Sequence, residues 1–223
     1  MKPLFIGLSI AISITGCKTA VVAPINATSE KFDFKNWDNN YANYRKGTTD
    51  HSYLLKDGSE IFPGTQATVI IPPKPAFYSI YKAYYNTGDI KEKGKLLGLK
   101  NSLIKIGTWF YFDGTNTPPR EVNEDKKFGK FDYNKLLNFL ANKGDINLHI
   151  GKNRDKLEIE FYSTDSSSQK LWKIYLVQTV HDLGDKIERK GRLYFIDGNT
   201  GEVIKSGQLG AYKEVYPQAL YMR

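Results

Sequence analysis

Short runs of alternating apolar and polar residues fill the second half of the chain, and polar loops separate them. Such alternation is typical of strands that bury one face and expose the other. It predicts strands at 157–162, 171–177 and 191–196, followed by a tight turn and a last strand at 202–204, with Gly201 available for a positive φ. Together these segments predict an antiparallel sheet.

A helical pattern precedes these strands. The side chain of Asp132 can cap the free amides of a first turn, and Gly144, after Lys143, supplies a stop. Between these residues, apolar side chains recur at the spacing of one helix face, at Tyr133, Leu136, Leu137 and Leu140. We expect this stripe to pack on a sheet.

The first half of the chain is rich in aromatic residues and turn signals. Phe32 and Phe34 alternate with charged residues, which predicts a half-buried strand. A β-rich run at 67–71 is closed by Pro72 and Pro73, which cannot continue a ladder of strand hydrogen bonds. The first half is therefore expected to consist mainly of strands.

Two aromatic segments, 77–85 and 107–112, are each followed by a glycine-containing turn, at 86–89 and 113–114. The first turn leads into an extended run at 90–94, so a β-hairpin is predicted there. The second segment is predicted to be an aromatic strand that ends in an Asp-Gly turn.

These segments resemble MORN-type repeats in their bacterial variant, in which tyrosine-rich, Lys-x-x-Gly and Gly-x-Trp strands recur. The matching residues are Tyr84, Tyr85, Gly88, Ile90, Gly94, Gly107, Trp109 and Tyr111. The resemblance covers about 77–123 and departs after Gly114, where Thr117-Pro118-Pro119 stands in place of a returning strand. Because a solenoid needs about three or more repeats, we expect the hairpins to pack on another part of the chain.

The segment 131–207 resembles a PepSY domain, through a strand that bears a tryptophan and through the terminal hairpin. The matching residues are Trp172, Asp197, Thr200, Gly201 and Val203. The resemblance implies a small α+β module of secreted and membrane proteins, in a family thought to bind or inhibit proteins such as peptidases. Asp197 and Gly201 are interpreted as turn-forming residues. The predicted fold class is α+β, with antiparallel hairpins at 31–125, this module at 131–207 and a tail at 208–223.

The N-terminus has the layout of an export signal. Lys2 precedes an apolar run at 4–14, which is too short for a membrane-spanning helix of about 20 residues. The run ends in a stretch that resembles the lipobox of bacterial lipoproteins, Ile14, Thr15, Gly16 and Cys17. The resemblance implies diacylglycerol on the Cys17 sulfur, cleavage of the signal peptide 1–16, and acylation, for example by palmitate, of the new amino group. Residues 17–30 then form a lipidated tether; a short membrane anchor or a buried helix is the alternative.

Residues near the anchor also bear on location and partners. Lys18 stands where Asp marks inner-membrane retention in enteric-type bacteria, so we expect an outer-membrane lipoprotein that faces the periplasm or the cell surface. With Cys17 acylated, the chain has no thiol for a disulfide. The formal net charge is +8. Because export argues against nucleic acid, the expected partners are the membrane, through the lipid, and a protein or an anionic envelope polymer. A solvated, lysine-rich surface also accounts for the charge.

Catalytic and metal-binding motifs are not evident in the sequence. The histidines are scattered and lack the spacing of metal ligands: His51, His149 and His181. There is no Gly-x-Ser-x-Gly elbow, and Gly88 and Gly94 are wrongly spaced for a P-loop. The segment 197–202 lacks several ligands of a calcium loop. Glu158 and Glu160 share a strand face, which suits a solvent-facing position. We therefore expect no catalytic residue, no metal and no cofactor.

The function predicted from these features is that of a non-enzymatic, lipid-anchored envelope protein, which binds or inhibits a protein or an envelope polymer through its β-surfaces. The sequence does not identify the binding residues. Two alternatives stay open. Both family resemblances imply inhibition, so the chain could be a periplasmic immunity protein or antitoxin against a secreted effector. An envelope hydrolase would need an active site assembled from distant residues.

Overall fold

The structure is a computed structural model. It describes residues 25–44, 52–64, 66–99, 102–115, 117–163, 169–182 and 187–209. Within these residues the chain forms two antiparallel β-sheets and two α-helices, so the architecture is mostly β with few helices. The lipobox residues, Ile14, Thr15, Gly16 and Cys17, lie outside the described residues.

The first sheet is a seven-stranded meander within the described residues, and each strand pairs antiparallel with the next. Helix α1 (Phe34–Tyr44) precedes it. The strands are β1 (Tyr53–Leu54), β2 (Glu60–Phe62), β3 (Ala67–Ile71), β4 (Tyr78–Tyr84), β5 (Ile90–Leu97), β6 (Lys105–Tyr111) and β7 (Arg120–Asn123). A short 3-10 helix, Glu124–Lys127, follows β7.

Two predictions for this half were wrong. The residues around Phe34 do not continue a strand, because the Asp33 side chain accepts a hydrogen bond from the Asn36 amide at 3.0 Å and caps helix α1 instead. A returning strand, β7, does follow the prolines at 118–119, which stand in the loop before it and outside the ladder. The β-rich run at 67–71 and the hairpin of β4 and β5 are confirmed.

The second sheet is a four-stranded meander in the order β11-β10-β9-β8. Its strands are β8 (Leu157–Ser163), β9 (Lys170–Asp182), β10 (Ile187–Asp197) and β11 (Val203–Leu209). The predicted terminal hairpin is confirmed, with Gly201 at a φ of +80°. Strands β9, β10 and β11 extend beyond the predicted limits, since the flanking polar residues also pair.

Helix α2 (Tyr133–Asn142) is present where the apolar stripe predicted it. The carboxylate of Asp132 accepts hydrogen bonds from the amides of Asn134 and Lys135, which completes the predicted cap. A second short 3-10 helix, Arg154–Lys156, leads into β8.

One apolar cluster joins the helix to both sheets. Leu136 and Leu140 of α2 are fully buried with Trp172 of the second sheet, and the same cluster includes Leu97 and Ile106 of the first sheet. The buried apolar surface is the main source of stability for such a contact. A polar link reinforces it, because Arg154 Nη1 donates hydrogen bonds to the carbonyl oxygens at positions 72 and 76, at 2.9 and 3.1 Å. The two sheets therefore share a core.

None of the helices among the described residues has the length and apolar character required to span a bilayer.

Candidate binding site on the first sheet

A short N-terminal segment, residues 25–33, lies across one face of the first sheet; we call it the strap. Two backbone hydrogen bonds hold it beside the β4–β5 turn: the Phe32 amide donates to the Gly88 carbonyl at 2.7 Å, and the Ile90 amide donates to the Glu30 carbonyl at 3.0 Å. Thr28 and Glu30, which belong to the expected tether, thus contact the sheet region directly.

The Glu30 carboxylate lies between two lysines of adjacent strands. Its oxygens are 2.5 Å from Lys82 Nζ and 3.0 Å from Lys93 Nζ. Lys93 also donates to the Thr28 carbonyl at 2.6 Å, and only 3% of the residue is exposed. A buried ammonium group is costly unless it is paired and hydrogen-bonded, and the strap supplies both of these partners.

Glu30, Lys82 and Lys93 form a triad in which opposite charges stabilise the ionised form of the carboxylate. Burial raises the pKa of Glu30, but hydrogen bonds and positive charge from Lys82 and Lys93 outweigh it, so that the pKa lies below its ordinary value. Glu30 is therefore ionised at neutral pH, as the two lysines require.

Aromatic side chains surround Phe32, the second residue of the strap that faces the sheet. The Phe32 ring packs edge-on against Tyr84 and Phe34, with ring centroids 5.1 and 4.9 Å apart, and Trp37 lies 6.3 Å away. Ile90 completes this buried cluster. Burial raises the pKa of the Tyr84 hydroxyl far above its ordinary range.

Two cavities flank the strap. One, of about 250 Å³, lies beside residues 30–37 and is lined largely by aromatic and aliphatic side chains. The other, of about 300 Å³, lies beside residues 25–30 and reaches Lys93. They share Glu30 and Lys82. Apolar walls with a few convergent polar groups are typical of ligand sites, so we call the two cavities, together with Lys82 and Lys93, the strap groove.

The opposite face of the same sheet is closely packed. Since Tyr81 pairs with Gly94 while Lys82 pairs with Lys93, the two pairs point to opposite faces. On this second face Trp109 is fully buried, stacked on Tyr81 with the ring centroids 5.9 Å apart.

Lys105 Nζ lies 3.9 Å from the centroid of the Trp109 ring and pairs with Glu92 at 2.8 Å. Trp109 is thus covered and offers no open platform for a ligand. Of the residues that resemble MORN-type repeats, Gly94, Trp109 and Tyr111 come together here, whereas Tyr84 and Ile90 face the strap.

The acidic residues that the sequence offered as candidate site residues form ion pairs or turn hydrogen bonds within the fold. Glu158 pairs with Arg189, and Glu160 lies 3.5 Å from Lys173, so both make cross-strand ion pairs. Asp197 accepts hydrogen bonds from two backbone amides of its own turn, at 2.7 and 2.8 Å, as a turn-forming residue does.

The histidines form no site in the part of the chain that the structure describes. His149 is exposed, His51 lies outside the described residues, and the side chain of His181 is likewise not described. No group of three or more potential metal ligands occurs among the described residues.

The strap groove was not found from the sequence. Lys93 occupies an inward-facing strand position, and a lysine there signals a buried charge that needs an anionic partner. That partner, Glu30, is separated from it by 63 positions along the chain. Only the folded chain therefore shows which carboxylate is used.

Comparison of the chain with protein-family models, with curated proteins and with solved structures gave no match.

Proposed function

We propose that the chain is a lipid-anchored protein of the cell envelope that has no catalytic activity and binds a protein or an anionic envelope polymer through the strap groove. The observation that carries this proposal is the groove itself, where two lysines share the single carboxylate of Glu30, so that one positive charge remains beside aromatic walls and two cavities. Such a combination suits recognition of a negatively charged group with an apolar neighbour.

The titration behaviour of the groove supports binding rather than acid–base chemistry. The pKa of Glu30 is lowered by its two lysines, although burial opposes this, and the pKa of Tyr84 is raised by burial. Both groups therefore titrate further from neutral pH than they ordinarily do. A general acid or base near neutrality needs the opposite shifts.

The position of the groove supports the lipid anchor as part of the same function. If Cys17 is acylated, residues 18–24 separate it from Ile25, which lines the groove. At about 3.3–3.6 Å per residue, this length of chain reaches roughly 25–30 Å. The groove would then work close to the membrane surface.

The MORN-type and PepSY-like assignments belong to this proposal. Trp109 lies against Gly94 in the first sheet, at the places that these residues hold in the MORN-type pattern. In the second sheet Trp172 is fully buried and its Nε1 donates to the Phe131 carbonyl at 2.9 Å, beside helix α2. Both observations support the two assignments.

Affinity capture of the lipidated protein from crosslinked envelopes tests the proposal. We expect the wild-type protein to recover a specific partner, and the Lys82→Gln variant to recover much less of it. The matched control is Lys126→Gln, an exposed lysine of the short 3-10 helix, which should recover the partner as the wild type does. Equal recovery of membrane bulk alone by all three proteins would contradict the proposal.

A further inference from the structure

The strap occupies the groove as a bound ligand would. Within the strap, Phe32 is buried and Glu30 is half-buried, whereas most other residues are exposed: Asn26, Ala27, Thr28, Ser29, Lys31 and Asp33. Two cavities remain open beside it. The contacts of the strap are concentrated at Glu30, Phe32 and two backbone hydrogen bonds, so opening it requires breaking only these local contacts and not the sheet itself.

The groove is a built site for a carboxylate. Lys93 is almost completely buried, and its ammonium group donates to the Glu30 carboxylate and to a strap carbonyl. Lys82 reaches the other oxygen of the same carboxylate. If the strap leaves, the Lys93 ammonium loses both of these partners, and an incoming carboxylate would restore the pairing that Glu30 makes.

The contact that Phe32 makes indicates that a ligand should carry an aromatic side chain as well as a carboxylate. Glu30 and Phe32 are two positions apart in an extended segment, and side chains at this spacing point to the same side. Glu30 contacts the two lysines, and Phe32 packs into the aromatic cluster around Tyr84. The strap also makes backbone hydrogen bonds with positions 88 and 90, as a peptide does when it pairs with a sheet as an extra strand.

We infer that the groove recognises an extended protein segment in which an acidic residue is followed, two positions later, by an aromatic residue, and that the strap is an internal competitor for this segment. The inference rests on the proposed function and selects a protein partner over an envelope polymer. The strap mimics the partner, since it presents the same two side chains to the groove.

Competition between the strap and an added segment determines how tightly the added segment binds. A segment that belongs to the same chain as its site acts at an effective concentration on the order of millimolar, so a partner segment must displace it. A hydrogen bond to a charged group contributes enough that its loss weakens binding by about tenfold or more. Weakening the strap should therefore raise the affinity for a segment added from outside by about this factor.

The test uses the mature full-length protein in detergent micelles and a labelled peptide with the sequence of residues 25–34. We expect the peptide to bind the Glu30→Gln protein about tenfold more tightly than the wild type. The control is Glu92→Gln, which removes the pair with Lys105 on the opposite face and should bind as the wild type does. A peptide with Gln in place of its Glu should bind weakly to every protein.

Phe32→Ala gives a second way to loosen the strap, and it leaves the carboxylate in place. It should also strengthen peptide binding, which guards against a folding defect in Glu30→Gln alone. If neither strap variant binds the peptide more tightly than the wild type, or if the Gln peptide binds equally well, the inference is wrong. Capture of an envelope partner would then still support the proposed function, so the two failures can be told apart.

Discussion

Trp109 lies directly against the backbone of Gly94, and a Cβ atom at position 94 would come within 2.2 Å of the indole ring. The two residues belong to the neighbouring strands β5 and β6, whose register shifts at this point. The glycine is required here for space, because its missing side chain is where the fully buried ring lies.

Replacing Gly94 by Ala should destabilise the protein. The buried ring would have to move, and overpacking of this kind costs about 1–3 kcal/mol of unfolding free energy. Urea unfolding followed by tryptophan fluorescence measures the change. Thr108→Ala, at an exposed position of β6, should change the unfolding free energy by less than about 0.5 kcal/mol. Equal stability of the two variants would contradict the close packing of Trp109 against Gly94.

Replacing Asp145 by Asn should also destabilise the protein. This buried carboxylate accepts a hydrogen bond from the Tyr194 hydroxyl at 2.8 Å and pairs with Arg192, which connects the end of helix α2 to β10. Hydrogen bonds to charged groups contribute about 1.5–3 kcal/mol, and we expect a loss in that range.

Asp155 provides the matched control for this prediction. Its side chain is 65% exposed and lies 3.7 Å from Arg154, so Asp155→Asn should cost less than about 1 kcal/mol. Thermal unfolding of both variants makes the comparison. The same loss in both would mean that the burial of Asp145 is not what matters.

The contribution of Glu30 to stability should disappear in acid. Hydrogen bonds and charge from its lysines outweigh burial and lower the pKa of Glu30 below 4.5 in the folded protein. Stability from a lowered pKa is present above the unfolded value and is lost as the pH falls through the folded value. The wild type should therefore lose more stability than Glu30→Gln when the pH falls below about 4.5. Urea midpoints between pH 7 and pH 3 measure this, and parallel curves would argue against the triad.

Replacing Cys17 by Ser should abolish membrane attachment and leave the folded sheets intact. A thiol is required for the thioether to diacylglycerol, so we expect the variant to lack lipid. Mass spectrometry of the N-terminal peptide and fractionation of envelopes measure the two effects. Retention of an unprocessed precursor in the membrane would indicate an uncleaved signal. A mature wild-type N-terminus without acyl chains would contradict the lipid anchor.

Local patterns predicted much of the second half of the chain. Helix α2 could be located because Asp132 and Gly144 bracket an apolar stripe, and these signals act within a few residues. The Asp-Gly-Asn-Thr-Gly turn at 197–201 likewise specified the hairpin of β10 and β11. The strand expected at Phe34 failed because capping by Asp33 competes with alternation over so short a run.

Local periodicity and turn chemistry were sufficient to predict the strand-rich character of the chain, the position of α2 and the terminal hairpin. The pairing of Glu30 with both Lys82 and Lys93, and the position of the strap over an aromatic cluster, depend on the tertiary fold. A buried lysine needs a counter-charge, but any carboxylate in the chain could supply it. Only folding brings together residues as distant as Glu30 and Lys93, and with them the groove.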